Sequence, residues 1–435
     1  MTSQRPDAPQ QANGFDSLRF WLSPEGEDAL GEAARILREQ HNDVLRASTA
    51  LRKRVSLPPE DVAAALEIAL CRQKAARLGT WAERGFFTKQ SLEQATAPAI
   101  AQFRAERFRG RGRVLEICAG AGFDTAAIAR VAESVVAIEA DARTAAMARR
   151  NLELQDVNNV EILCGKAEEI CAQLDLAQFD GLWSDPSRRE GGGRRLYDPE
   201  ECSPALSWLQ RLPIQGRCGV KLAPGADCAP IHLADGAWRR LWIGFGDECR
   251  EQVLWKNLPD TQNSPDTPDA AAALIAPDGS LAAEWSAHDG RAAEPARWNG
   301  DAETLRGRYL LEPHAALIRT GKLADFYAER GFALFAERIA YGLSPAPPAQ
   351  SPWYDAFLLL EAFPFHYSRL RERLAALGWG TRMEIKKRGF PETPDEIRRK
   401  LKLPRNSSQE GVLFCTRREN QHWAILAQRF RATDA

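Results

Sequence analysis

The stretch VLEICAGAGFDTAAIA, residues 114–129, predicts a buried strand, a tight turn and a helix. Its apolar run is interrupted by Glu116 and is followed by four small residues, AGAG at 119–122. Small residues let the backbone turn sharply and approach another molecule closely. The stretch therefore predicts a binding loop at the end of a strand.

The chain after Arg113 alternates short apolar runs with amphipathic stretches, as in a parallel sheet with crossover helices. A late pair of runs, RRLWIGF and REQVLWK, is separated by Gly246 and Asp247 and predicts a hairpin. These patterns indicate an α/β fold. The strands are predicted near residues 113–118, 134–139, 160–164, 179–184 and 217–222.

Length and composition limit the class of protein. The 435 residues predict several domains, and 44% apolar residues, 27% charged residues and a net charge of -1 are typical of a globular protein. Any affinity for nucleic acid must come from a local patch. With no long apolar run and no signal-peptide pattern, we expect a cytoplasmic protein without a membrane segment. The 9 cysteines form no C-x-x-C pair, which disfavours a zinc knuckle.

Changes in texture along the chain predict four parts. A helical pattern covers residues 15–95, and the strand-and-helix alternation covers 96–256. A connecting segment rich in Pro, Asp and Gly opens 257–345, and a small α+β module covers 346–435. We therefore predict an N-terminal helical domain, a central α/β domain and C-terminal α+β modules.

The spacing around the small residues favours a nucleoside without a pyrophosphate. In the order Glu116-x-Cys118-x-Gly120-x-Gly122, a cysteine occupies the first glycine position of a dinucleotide fingerprint. Glu139 ends the next strand, where a carboxylate accepts both hydroxyls of an unphosphorylated ribose. No lysine or phosphate-binding nest accompanies the glycines. S-adenosylmethionine is a nucleoside of this kind, because it has a ribose and no pyrophosphate.

Residues 96–256 resemble a class I S-adenosylmethionine-dependent methyltransferase with a Rossmann-like fold, through the motif E/D-x-x-x-G-x-G. The resemblance implies that Glu116 lies near the methionine amino group and that Glu139 binds the ribose. The family's Gly-Asp pair after the third strand is replaced here by Gly165-Lys166, so Glu168 is a substitute for the adenine contact. The implied cofactor-binding residues are Glu116, Cys118, Ala119, Gly120, Gly122, Glu139, Ala167 and Glu168.

The stretch Asp185-Pro186-Ser187-Arg188 occupies the position of the D/N-P-P-aromatic motif, which holds the target nitrogen in amino-group methyltransferases. The resemblance implies that Asp185 orients the nucleophile. Arg188 and Arg189 suit a base or a phosphate, because a guanidinium stacks and grips anions. The same residues are also compatible with an ordinary turn capped by Asp185.

The wider chain resembles bacterial methyltransferases that carry a ferredoxin-like segment, here 257–345, and a THUMP-like C-terminal domain, here 346–435. The stretches GVKLAPGAD and MEIKKRGFPETPDEIRRKLKL carry this resemblance. THUMP domains in RNA-modifying enzymes bind RNA, which favours phosphate contacts over a merely solvated face for a basic cluster near the end. The cluster comprises Lys386, Lys387, Arg388, Arg398, Arg399, Lys400, Lys402 and Arg405.

These patterns together predict an enzyme that transfers a methyl group from S-adenosylmethionine to structured ribosomal or transfer RNA. Two alternatives stay open: a catalytically silent RNA-binding protein that keeps the fold, and a methyltransferase for a protein or a small molecule. We expect no metal, because His314 and His366 stand apart from other ligand types. The target atom and the oligomeric state stay open.

Overall fold

The computed structural model describes residues 20–187, 198–227, 238–257, 270–287, 295–404 and 410–431. The chain divides into two compact units. The first comprises Met1–Trp238, Gln252–Gln262 and Ile275–Leu281. The second comprises Arg239–Glu251, Asn263–Leu274 and Ala282–Ala435. The division into four parts is finer than these units and stays a prediction.

The first unit begins with a small helical layer. Apolar residues at three- and four-residue spacing, such as Leu30, Ala33 and Leu37, form the buried face of its first helix. Ser23 caps that helix through its side chain. Phe86 and Met147 belong to the same core, so the layer packs on the α/β part of this unit. The helices are α1 Pro24–Glu39, α2 Val44–Leu51 and α3 Pro59–Ala75.

The rest of the first unit is a parallel sheet with crossover helices. Its strands are β1 Arg113–Ile117, β2 Ser134–Glu139, β3 Val160–Cys164, β4 Gly181–Ser184 and β5 Arg217–Leu222, and its further helices are α4 Lys89–Gln94, α5 Pro98–Ala105, α6 Phe123–Ala129, α7 Ala142–Glu153, α8 Ala167–Cys171 and α9 Leu206–Gln210. The parallel strands follow the order β3-β2-β1-β4-β5. Residues 252–256 then pair antiparallel with β5. Because both faces are covered, the central strands are buried along their length.

This arrangement confirms the α/β fold class. The five predicted strands are present within two residues, and the sheet order reverses between β1 and β4, because β2 and β3 lie on one side of β1 and β4 and β5 on the other. In open α/β sheets, ligands bind beyond the carboxyl ends of the strands at such a switch point. The topology therefore places the stretch at 118–122 and the residues after β4 at one edge of the sheet.

The second unit is built on antiparallel strands. A hairpin joins β6 Trp238–Phe245 and β7 Glu248–Lys256 through Gly246-Asp247, as predicted. A second hairpin turns at residues 276–280, which belong to the first unit. The remaining elements are β8 Ala270–Ile275, β9 Leu281–Ser286, β10 Tyr309–Pro313, α10 Ala315–Arg319, α11 Leu323–Glu329, β11 Ala333–Ala336, β12 Ile339–Ser344, β13 Tyr354–Pro364, α12 Tyr367–Ala376, β14 Glu384–Arg388, α13 Pro394–Leu401, β15 Val412–Arg418 and β16 Gln421–Arg429.

Seven of these strands form one sheet in the order β11-β12-β10-β13-β16-β15-β14. Only the pairing of β14 with β15 is parallel among the pairings of this sheet that the structure describes. Leu370 of α12 and Ile397 of α13 pack with Leu413 of β15 in one core. The two helices therefore cover one face of the sheet.

Two absences hold for the described ranges. None of the helices there is long and apolar enough to cross a membrane. In the same ranges, no group of three or more histidine, cysteine, aspartate or glutamate side chains is arranged to hold a metal ion.

Candidate active site

The glycine-containing loop, residues 118–122, leaves β1 in a left-handed conformation. Cys118, Gly120 and Gly122 have φ angles of 65°, 56° and 84°. Glycine adopts such angles without steric cost, whereas a cysteine does so only where its surroundings hold it. Apart from Gly120 and its two chain neighbours, no described residue has an atom within 4 Å of the position that a Cβ on Gly120 would occupy. The loop thus opens onto a cleft at Gly120.

The Glu139 carboxylate is held beside this loop by two backbone amides. Gly120 N–H donates to Oε2 at 2.9 Å, and Asp141 N–H donates to Oε1 at 3.0 Å. Glu139 also lines the cleft. Each carboxylate oxygen has two lone pairs, so both oxygens keep one for a further donor. The arrangement can accept two neighbouring hydroxyl groups, as a ribose presents them.

Six of the eight predicted cofactor-binding residues line this cleft, and two lie behind it. The six are Cys118, Ala119, Gly120, Glu139, Ala167 and Glu168. Glu116 is 1% exposed, and a Cβ on Gly122 would lie 3.5 Å from the Cβ of Ala148. Burial, followed by the nearby Asp124 carboxylate, raises the pKa of Glu116 well above its ordinary value. Asp124, the second residue of α6, lines the cleft.

Asn151 supports the loop from behind. This buried side chain on α7 accepts a hydrogen bond from Phe86 N–H at 2.8 Å and donates to the Phe86 carbonyl at 3.0 Å. It also donates to the Ala121 carbonyl at 3.0 Å. One amide thus connects the segment after the helical layer to the glycine-containing loop.

Asp185 leaves β4 at the same edge of the sheet and lines the cleft. Its Oδ2 accepts a hydrogen bond from Lys221 Nζ at 2.6 Å. The Lys221 side chain is 7% exposed and the Asp185 side chain 26% exposed, so the pair is buried on the lysine side and accessible on the carboxylate side. Lys221 was not among the predicted site residues, although a lysine inside the apolar strand RCGVKL is a signal that could have identified it.

A second buried ion pair lies next to the first. Arg104 Nη2 contacts Asp124 Oδ1 at 2.5 Å, and the Trp183 indole donates to Asp124 Oδ2 at 3.2 Å. Thr96 Oγ1 accepts hydrogen bonds from Arg104 Nη2 at 3.0 Å and from Lys221 Nζ at 3.2 Å. The polar floor of the cleft thus comprises Thr96, Arg104, Asp124 and Lys221, and Lys221 connects it to Asp185.

The rest of the predicted target-binding motif is only partly described. Pro186 and Ser187 line the cleft, and Ser187 exchanges two backbone hydrogen bonds with Ser203. Arg188 and Arg189 lie outside the described residues.

The predicted basic cluster of the second unit does not form one uniform surface. Lys386 contacts Glu312 at 2.5 Å, and the Arg388 guanidinium lies 5.0 Å from the centre of the Tyr341 ring. Arg398 donates to the backbone carbonyls of residues 381 and 383. These three basic side chains therefore serve contacts inside the unit.

Four basic side chains of the cluster are exposed, and one of them is paired with a carboxylate. They are Lys387, Arg399, Lys400 and Lys402. Lys400 pairs with Glu392 at 2.9 Å. Arg405 lies outside the described residues. The cluster thus offers Lys387, Arg399 and Lys402 as its exposed cations that no described carboxylate approaches within 4.0 Å.

The cleft suits S-adenosylmethionine by the chemistry of its donor and acceptor groups. Glu139 offers acceptors for two ribose hydroxyls, and the open space at Gly120 admits a ligand against the backbone. Glu168, on α8 after β3, also lines the cleft. The acidic side chains at the cleft also suit a cationic sulfonium.

Comparisons with known proteins agree with this geometry. A family model described as a methyltransferase domain matches residues 114–187, one described as THUMP domain-like matches 355–429, and one described as a domain of unknown function matches 14–75. Two uncharacterized S-adenosylmethionine-dependent methyltransferases, from two strains of Mycobacterium tuberculosis, are each 27% identical over 353 residues. The alignments cover 78% of this chain and 88% of each relative.

A solved structure extends the likeness to nearly the whole fold. A protein from Porphyromonas gingivalis W83, assigned as a methyltransferase, superposes with a TM-score of 0.72 at 21% identity. The match covers 92% of this chain and 99% of that chain.

Fold, cleft and comparisons define the class: a Rossmann-like methyltransferase that depends on S-adenosylmethionine. Within that class, this chain combines a match to the methyltransferase domain over residues 114–187 with a match to the THUMP domain-like family over residues 355–429.

Proposed function

We propose that this methyltransferase acts on structured RNA, ribosomal or transfer RNA. The observation that carries the proposal is the THUMP domain-like match over residues 355–429, because THUMP domains of RNA-modifying enzymes bind RNA. The relatives' names give the cofactor and no substrate. The second unit would present the RNA, and the cleft of the first unit would receive one nucleotide.

The chain's own residues supply alignment. S-adenosylmethionine, when bound, provides a methyl group on a positively charged sulfur, and this methyl group reacts with a nucleophile placed on the side opposite the sulfur. Glu139 would bind the ribose, and the glycine-containing loop would lie against the rest of the ligand. Asp185 would accept a hydrogen bond from the target group and hold it in line. Such alignment lowers the barrier, because it replaces a random encounter by a fixed geometry.

Incubation of the full-length protein with labelled S-adenosylmethionine and separated cell fractions tests the substrate class. We expect label in RNA and one methylated nucleoside that is missing from the RNA of cells without the protein. Label in protein or in small molecules would overturn the RNA proposal and support the second alternative. Cofactor binding without any transfer would support the silent binding protein.

The contribution of the exposed cations is tested by reversing three charges. Lys387→Glu, Arg399→Glu and Lys402→Glu together should weaken RNA binding and lower the slope of log K against log salt by roughly 2 to 3, because each phosphate contact contributes about 0.7 to 0.9. The matched control reverses Arg46, Arg52 and Lys53, which are exposed in the helical layer. Equal salt slopes for the two triple variants would contradict a role for these cations.

A further inference from the structure

Lys221 is a buried cation with two polar partners. Its Nζ lies 2.6 Å from Asp185 Oδ2 and 3.2 Å from Thr96 Oγ1. Burying an ammonium costs several kcal/mol unless well-placed partners offset that cost. An apolar residue would fill a strand position such as 221 at lower cost. The lysine is therefore a candidate for a role beyond packing.

The polar contacts around Lys221 hold it from several chain segments. Thr96 precedes α5 and also receives Arg104, which contacts Asp124 of α6. Lys221 itself lies on β5, in register with Val253. Because Lys221 is fixed from the sheet and from the segment before α5, its ammonium offers Asp185 a rigid donor.

We propose that Lys221 is a positioning residue, which fixes Asp185 so that one carboxylate oxygen remains for the methyl acceptor. This inference rests on the proposed role of Asp185 and adds a residue to it. Oδ2 is engaged by Lys221, and Oδ1 is left on a side chain that is 26% exposed and lines the cleft.

The arrangement selects the kind of target group. An ionised carboxylate accepts hydrogen bonds and donates none. Asp185 in this state orients a target that carries a hydrogen, such as an exocyclic amine or a hydroxyl, and gives no support to a ring nitrogen that offers only a lone pair. In the transfer, the target atom bonds the methyl carbon, the carbon–sulfur bond breaks with its electron pair on sulfur, and the target's proton passes through Asp185 to water.

The test compares Lys221→Met, Lys221→Arg, Lys221→Ala and Asp185→Asn, and the double variant Lys221→Met/Asp185→Asn. The full-length proteins are assayed for kcat and KM on whichever cell fraction accepts the methyl group. Calorimetry gives the Kd for S-adenosylhomocysteine, and thermal unfolding gives Tm. The double variant matters because Lys221→Met alone leaves a carboxylate without its partner, which can unfold the protein.

For a positioning role we expect Lys221→Met to lower kcat roughly 10- to 100-fold while the Kd changes less than about threefold. Lys221→Arg should recover part of kcat. Added ethylammonium should raise the kcat of Lys221→Ala, because the cation fills the space of the missing side chain. The double variant should be no slower than Asp185→Asn, since residues that act as a unit are not additive.

Other outcomes would overturn the inference. Lys221 does not act through Asp185 if Lys221→Met keeps the wild-type kcat. The same conclusion follows if the fold-loss of kcat in the double variant equals the product of the fold-losses in the two single variants. If the Lys221 variants bind S-adenosylhomocysteine more weakly, have a lower Tm and a lower kcat together, and ethylammonium does not restore kcat, the ion pair is merely structural. Label in protein instead of RNA, with the same effects of Lys221, would refute the RNA substrate and leave the positioning role intact.

Discussion

Replacement of Glu139 by glutamine tests the cofactor cleft most directly. The carboxylate holds two backbone amides and keeps one lone pair on each oxygen for the ribose hydroxyls. Glutamine has nearly the same shape, but its NH2 group cannot accept a hydrogen bond, and it would face either Gly120 N–H or Asp141 N–H. The variant therefore loses one acceptor for the ligand and the charge that strengthens the other.

Hydrogen bonds to a charged group contribute about 1.5–3 kcal/mol each, so the loss of one corresponds to a roughly 10- to 100-fold weaker Kd for S-adenosylhomocysteine. Isothermal titration calorimetry on the full-length protein measures this change. Glu153→Gln is the matched control, because Glu153 is exposed on α7 and does not line the cleft. A Kd for Glu139→Gln within threefold of the control, in a protein with unchanged circular dichroism, would refute the assigned role.

Three further predictions concern buried groups of the first unit. Because the pKa of Glu116 is raised, the folded state holds a proton that the unfolded state releases, and the free energy of unfolding should fall as the pH rises above the ordinary glutamate pKa, by at most about 1.4 kcal/mol per pH unit. In urea unfolding, Glu116→Gln should flatten this pH dependence. Equal slopes for the variant and the wild type would contradict the prediction. Burial raises the pKa of the Cys118 thiol, so iodoacetamide at pH 8 should modify the exposed Cys164 first, and peptide mass spectrometry that finds Cys118 modified equally fast would be the contrary result. Gly219→Ala would place a Cβ 2.5 Å from a ring carbon of Trp255 and should cost about 1–3 kcal/mol of unfolding free energy, measured by urea denaturation, whereas an unchanged midpoint would show that the ring moves aside freely.

The strands and the ligand loop were predictable because their signals are local. An apolar run followed by glycines at fixed spacing specifies β1 and the loop, and Glu139 follows from the spacing to the next strand. The fold class and the cofactor followed from this order of motifs. The predicted β4 began two residues early, at Phe179, since that apolar side chain packs into the core without extending the strand.

The polar floor of the cleft was not predictable, because its partners are distant in sequence. Lys221 and Asp185 are 36 residues apart, and Arg104 and Asp124 are 20 residues apart. No periodicity links such residues, and only the fold brings them into contact. The basic cluster shows the converse: residues adjacent in sequence, such as Lys386 and Lys387, alternate between the two faces of a strand and separate in space.

Asn151 has a consequence for how the enzyme can be dissected. Its amide bonds the backbone of Phe86 on one side and of Ala121 on the other. A fragment beginning at residue 96 would retain the catalytic sequence motifs but would leave two hydrogen-bonding groups of this amide facing solvent and would uncover Met147. The segment around Phe86 thus supports the glycine-containing loop through Asn151, and removing the chain before residue 96 should produce a protein whose loop is loosened, rather than a minimal methyltransferase.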